Sequence, residues 1–216
     1  MTTRIFYKEL RLVLHPAAVL FTLFGAMLLI PNYCYYVAPF YATLGVFFCF
    51  MNARENRDIW YSAALPVSKR AMVRGRVRLC VALELAMLAL AAPFALLSVR
   101  INPNGGNVVG IDPNTAFFGL SLLLFGIFNR AFLPLFYRTA VKVGKSYLLS
   151  MIPVTIFILA AEVLVHVPGV GPWLDATDAP AQLRQLPVLI GGAALYALLT
   201  WRAAARAETL FEAVDL

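Results

Sequence analysis

Charge is scarce in this sequence. Asp, Glu, Lys and Arg make up 13% of its 216 residues while apolar types supply 62%, against about a quarter and about half in ordinary soluble domains. A water-soluble fold of this size has too little interior to hide so much apolar surface, and that class is excluded. Histidine occurs twice and cysteine three times. Cys34, Cys49 and Cys80 are odd in number and widely spaced, which gives neither a disulfide framework nor a metal knuckle; they read as packing residues. The pattern G-x-x-x-x-G-K-[ST] is also missing, so the chain cannot hold ATP by the usual phosphate loop. No A-x-A site follows the first apolar run, whose next residues are PNYCYYV, and that run is expected to stay as a helix. Internal repeats and low-complexity tails are lacking, so residues 1–216 read as one domain.

Long apolar runs are what the chain has instead. A bilayer core about 30 Å thick takes roughly 20 apolar residues per helical span. Six windows approach this: Leu14–Ile30, Tyr36–Met51, Leu79–Val99, Ala116–Tyr137, Tyr147–Val167 and Leu186–Trp201, the second being short. Stretches such as LFTLFGAMLLI and LSLLLFGIF lack the period-two polarity of barrel strands. The expected fold is an all-α polytopic membrane protein with six transmembrane helices.

The net charge of +7 raises nucleic acid as a partner, but the placement of the bases points to topology instead. With a cytoplasmic N-terminus, one side collects Arg4, Lys8 and Arg11, then Arg54, Arg57, Lys69, Arg70, Arg74, Arg76 and Arg78, then Arg138, Lys142 and Lys145, and finally Arg202 and Arg206. Only Arg100 and Arg184 fall outside, with Arg130 inside a span. Both termini are therefore expected in the cytoplasm.

Before the first span, RIFYKELRLVLHP places Arg4, Lys8 and Arg11 at i, i+4 and i+7 among apolar residues. It reads as an amphipathic interfacial helix with its polar face to the anionic leaflet and a bend allowed at Pro16. INPNGGNVVGIDPN reads as an outer loop of turns, and VPGVGPWLDATDAPAQLRQLP as an outer segment lying on the leaflet through Trp173, Val167, Val170, Leu174 and Leu183. Two small-residue faces, Ala82/Ala86/Ala89 and Gly191–Ala194, suit close helix contact, either inside the chain, the preferred reading, or between subunits.

The longest inner connection contains ENRDIWYSAALPVSKR. Charges come first, Ile59, Trp60 and Tyr61 follow, and Pro66 disfavours helix at Leu65, which predicts a short helix over about 53–64 lying along the cytoplasmic face. Ser68 then caps the third span, where Arg70, Arg74 and Arg78 form a ladder suited to lipid phosphates. A positive-inside signal explains that ladder but not Trp60, Tyr61, Glu55 and Asp58, so the stretch reads as a docking element.

The block FMNARENRDIWYSAALPVSKRAMVRGRV, with L-P-V-S-K between spans two and three, and the block FNRAFLPLFYRTAVKVGK resemble the permease subunits of type-2 ATP-binding-cassette transporters, in particular the small six-span bacterial members. The resemblance implies that the short helix is a coupling helix seated on a separate ATPase subunit, which would hold ATP and Mg; this chain would bind no cofactor, carry no catalytic residue and touch no nucleic acid. It implies further that Glu55, Arg57, Asp58, Ile59, Trp60 and Tyr61 touch the ATPase, and that Leu65, Pro66, Ser68 and Lys69 set the angle to the third span. A second permease subunit, identical or different, a bacterial plasma membrane location and outward transport are also implied.

Ionisable groups in spans are costly, about 3 kcal/mol at mid-membrane, and each needs a role. For Glu84 the leading role is a pair with Arg130; the other, shared with Asn129, is lining a transport path. Glu162 and His166, one turn apart, bond one another or line the outer mouth. As metal ligands they would make the chain an intramembrane hydrolase, but they lack a third ligand, His15 being at the opposite face. Another alternative is a membrane anchor that recruits a cytosolic protein without transport.

Overall fold

The computed structural model describes residues 2–101 and 107–215, with side chains from Ile5 onward. Arg4's side chain and residues 102–106 of the Asn- and Gly-rich loop lie outside the described residues. Among the described residues 80% are helical and none is in a strand.

Helix α1 (Thr2–Lys8) runs into a π-wound turn, Glu9–Val13, closed by the Leu14 amide donating to the Glu9 carbonyl at 3.0 Å. The chain then breaks. His15 is extended and its Nδ1 accepts the Ala17 amide at 3.1 Å, while Pro16 occupies the first turn of α2 (Pro16–Thr22). Proline favours an extended predecessor and a first-turn position, so the expected bend falls here, at 97°. A 3₁₀ segment, Leu23–Leu29, continues α2. Its steeper rise stretches the two short pieces to roughly 25 Å.

Helices α3 (Val37–Glu55), α4 (Asp58–Ala63), α5 (Lys69–Ile101), α6 (Thr115–Tyr137), α7 (Val143–Val165), α8 (Gly171–Leu174), α9 (Ala179–Arg184) and α10 (Leu186–Glu212) complete the chain. Four of these, α5, α6, α7 and α10, are long and apolar enough to cross a membrane, and the bent segment Ile5–Val13 plus Pro16–Leu29 is a fifth candidate. α3, matching the expected second span, is not among them: it ends on Asn52, Arg54 and Glu55 and lies largely within the protein. The plain description is thus a helical membrane protein with four to five candidate spans.

α6 is the central helix. Its residues Phe117, Phe125, Phe128, Phe132 and Phe136 are fully or almost fully buried, and Phe50 of α3 meets Phe132 and Phe136 edge-on at 4.9 and 4.7 Å. α10 runs parallel to α6 at backbone contact. A Cβ on Gly119 would meet the Val188 carbonyl at 2.5 Å, one on Gly192 would strike the Gly119 carbonyl, and one on Gly126 would come within 3.0 Å of the Tyr196 Cα. Close helix approach of this kind is how membrane helices gain contact when lipid already solvates their apolar side chains. Gly192 therefore packs internally; Ala82, Ala86 and Ala89 of the other small-residue face are exposed.

The outer surfaces are apolar. Leu148, Ile152, Ile156, Leu159 and Val163 recur at helical spacing along one face of α7, each more than half exposed, and Ile190, Leu195, Leu198 and Trp201 are exposed on α10. The segment expected on the outer side folds over the N-terminal end of α6. Asn114 caps α6 through the Phe117 amide at 3.0 Å and donates to the Leu174 carbonyl at 2.8 Å. Buried Gln185 donates to the Trp173 and Ala176 carbonyls at 3.0 and 2.9 Å. Leu174 is buried, while Val167, Val170, Trp173 and Leu183 stay exposed.

Candidate functional site

At the end of the bundle where α3 gives way to α5, Arg57 adopts a left-handed conformation, φ 50° and ψ 34°. A non-glycine residue there costs on the order of 1 kcal/mol, and the break it makes separates α3 from α4. The short helix expected over about 53–64 is thereby confined to Asp58–Ala63, and Glu55 belongs to the last turn of α3. Beyond it, Ser68 accepts the Ala71 amide at 3.3 Å and starts α5.

The two faces of α4 differ. Trp60 and Tyr61 are 45% and 56% exposed, with Leu65 also exposed after the helix, and Glu55, Arg57, Pro66 and Ser68 are open as well. Asp58, Ile59 and Ser62 are buried. Sequence reasoning gave Asp58 and Ile59 to a partner; the helix turn instead points them into the protein, where they cannot touch one in this arrangement.

What Asp58 meets is a cluster of four charges. Lys8 Nζ donates to both Asp58 oxygens at 2.9 and 3.1 Å and to Ser62 Oγ at 2.8 Å, and lies 3.0 Å from Glu9 Oε1. Arg76 donates from one nitrogen to Asp58 at 2.6 Å and from Nε to Glu9, with its guanidinium 5.2 Å from the Phe50 ring centre. Glu9, Asp58 and Arg76 are nearly inaccessible. Two cations and two carboxylates balance, which is the condition for burying charge. The π turn that carries Glu9 delivers it to this point, and Gly75 makes room, since a Cβ there would meet Ile5 at 2.5 Å. Lys8 thus faces the protein, not lipid as its amphipathic spacing suggested. Asn52 closes the corner by donating to the Val13 carbonyl at 3.2 Å.

A second set of contacts straps α5 to α10, which continues past Trp201, the expected span end, to Glu212. Arg70 and Arg74 form two-bond pairs with Glu212 and Glu208, Nε to oxygen 2.7 Å in each case. Lys69 donates to the Val214 carbonyl at 2.6 Å. Two rungs of the expected phosphate ladder, and one expected elbow residue, are therefore engaged within the chain.

Inside the bundle, Glu84 is not paired with Arg130. Its Oε2 accepts Asn129 Nδ2 at 3.0 Å and the Tyr196 hydroxyl at 2.7 Å, and Asn129 also donates to Thr200 at 3.2 Å, so the knot joins α5, α6 and α10. Arg130 points away to the exposed side of α6. Glu162 accepts from the Cys34 thiol at 3.2 Å and from the Ile111 amide at 3.1 Å, tying α7 to the loops that precede α3 and α6 rather than to His166. Burial and the neighbouring Glu162 push the Cys34 thiol up to about 11, which keeps it protonated. Cys49 and Cys80 are buried. Among the described residues no group of three His, Cys, Asp or Glu is placed to hold a metal ion.

A helical bundle with an apolar exterior and a short, braced helix between α3 and α5 is the setting the sequence blocks suggested. The family model described as ABC-2 family transporter protein matches residues 4–201. The chain belongs to that family. No curated protein and no solved structure was found to match it. Membership makes it a membrane permease component of a transporter rather than a catalytic subunit, and implies association with an ABC ATPase.

In this permease the buried cluster was missed by sequence reasoning because its members are far apart in the chain, Lys8 and Asp58 by 50 residues and Glu9 and Arg76 by 67. The one signal available was Glu9, an acid among the bases of an interfacial helix.

Proposed function

We propose that this chain is the membrane subunit of an ATP-driven exporter and that α4 is its coupling helix, received by a separate ATPase subunit through Glu55, Arg57, Trp60 and Tyr61. The observation that carries this is the two-sided build of α4: an aromatic and charged face open to solution, backed by a buried ionic cluster that fixes it to α1 and α5. A docking helix must not only be touched; it must pass displacement on. Asp58 does so to Arg76 at the base of α5 and, through Lys8, to the interfacial helix. The α5–α10 pairs carry the same motion to the last helix, and the Glu84 knot carries it into the bundle.

In this reading α3 and the bent first segment cross the membrane beside the four longer helices, making six spans. The end rich in Lys and Arg is cytoplasmic, as the positive-inside bias favours. Two subunits, identical or different, flank the path in a bacterial plasma membrane, and hydrolysis of Mg-bound ATP by the partner drives outward movement of a peptide, drug or other amphipathic molecule. For the alternative of an intramembrane hydrolase, the bonding of Glu162 to Cys34 and a backbone amide offers no support. The anchor without transport shares the same docking face.

Co-expression with candidate ABC ATPase subunits from the same genome tests the proposal. The wild-type pair should co-purify and show nucleotide-dependent transport in vesicles, and W60A/Y61A should lose both. Retained association with no transport would favour the anchor, and full activity of the double variant would exclude α4 as the coupling element.

A further inference from the structure

The C-terminal halves of α6 and α10 line an open cleft of about 580 Å³, to which Arg130, Arg138 and Arg206 contribute together with Pro134, Leu135 and Leu210. Arg130, Pro134 and Arg138 are spaced i, i+4, i+8 and share one face of α6; Arg206 and Leu210 share one face of α10. None of the three guanidiniums has an acidic partner among the described residues. The nearby acids of α10 are committed elsewhere. Glu208 and Glu212 sit on the opposite side of that helix, where they hold Arg74 and Arg70 of α5. The extension of α10 is therefore acidic toward the protein and basic toward the cleft.

Depth matters as much as charge. Trp201, 68% exposed, lies little more than one helical turn before Arg206, and exposed tryptophans at the ends of spans settle at the headgroup level. The cleft is thus a concave surface at that level, with apolar walls that suit the first carbons of acyl chains and three uncompensated guanidiniums that suit phosphate oxygens. Its volume lies within the usual range for small-molecule sites. We propose that it binds the phosphate headgroup of an anionic phospholipid from the leaflet at this end. The apolar walls and the headgroup depth select a lipid over free phosphate. The leaflet assignment rests on the reading of this end as cytoplasmic.

The test uses the purified full chain in neutral detergent, titrated with phosphatidylglycerol or phosphatidylcholine. Bound lipid is counted by native mass spectrometry, and the thermal unfolding midpoint is followed. Phosphatidylglycerol should bind and raise the midpoint while phosphatidylcholine should not. Each of R130Q, R138Q and R206Q should weaken phosphatidylglycerol about fivefold, and the triple variant roughly a hundredfold. R100Q/R184Q removes charge at the other end of the bundle and should leave binding unchanged. L210W keeps every charge but fills the cleft, and should lose binding even if the triple variant does not fold. Equal binding of both lipids, or unchanged phosphatidylglycerol binding in L210W and the triple variant, would overturn the site. Equal stabilisation by inorganic phosphate alone would overturn the lipid assignment. A cysteine introduced at Leu210 should react with an impermeant thiol reagent only from the cytoplasmic side; reaction only from outside would overturn the leaflet while leaving the lipid result standing.

Discussion

Asp58, Glu9 and Arg76 lie where water scarcely reaches, with Lys8 partly buried beside them, and together they hold two charges of each sign, so removing any one strands the others. Breaking a buried pair in this way costs about 3–5 kcal/mol. Arg70 and Arg74 also make two-bond pairs, but both arginines are more than half exposed, and ion pairs held in solvent contribute little because water and salt screen them. Asp58→Ala should therefore lower unfolding stability in detergent by about 3–5 kcal/mol, and Arg74→Ala by much less. The comparison is made by thermal or denaturant unfolding of the two purified variants. Similar losses for both would place the bracing of α4 outside this cluster. At this scale the sequence was only partly readable: exposure of Trp60 and Tyr61 follows from the pattern of charges and aromatics, but inward-facing Asp58 does not, because a helix of six residues shows too few turns for a periodicity to declare its buried side. Glu84 was legible as a residue needing a partner, and its true partners, Asn129 and Tyr196, were hidden by distance along the chain.

At the scale of elements, α6 and α10 touch through glycine, and two adjacent glycines separate contact from composition. Gly192 faces the Gly119 carbonyl, whereas Gly191 has open space where a Cβ would go. Gly192→Ala should destabilise by about 1–3 kcal/mol through overpacking, and Gly191→Ala should be neutral or stabilise by up to about 1 kcal/mol as a better helix former. Thermal midpoints of the two variants decide it. The loops preceding α6 and α9 carry a pH dependence. Burial pushes Asp112 up to about 6 from an ordinary 3.8, and Asp175, whose carboxylate accepts the Asp112 amide at 2.6 Å, is raised as well. A carboxyl whose pKa rises on folding binds its proton better in the folded state, so its contribution to stability is largest below pH 3.8 and is lost as the pH climbs through about 6. Protection against hydrogen exchange of the Asn107 amide, which donates to the Asp112 carboxyl at 2.9 Å, and of the Asp112 amide, corrected for intrinsic rate, should fall between about pH 4 and about pH 6.5. The ends of α6 and α7 were legible because apolar runs set them, whereas α5 starts at Lys69 rather than Leu79 and α10 runs past Trp201 to Glu212, where charged residues extend the helix beyond the apolar run; the Arg57 break was not legible, since left-handed backbone at a non-glycine residue leaves no compositional mark.

For the whole molecule, the helical membrane class was legible from composition alone, and the family from two sequence blocks. The count of six spans was less secure, because the bent first segment reaches its length by 3₁₀ winding and α3 carries polar residues at its end. The account joins these levels through one claim, that force from a partner enters at the open face of α4 and leaves through its buried face. The most direct test places a photo-crosslinking amino acid at single positions of α4 in the chain co-expressed with the ABC ATPase that co-purifies with it. Positions 60 and 61 should give covalent adducts with the ATPase while positions 59 and 62 should not. Adducts from 59 and 62 equal to those from 60 and 61, or none from any of the four, would contradict it.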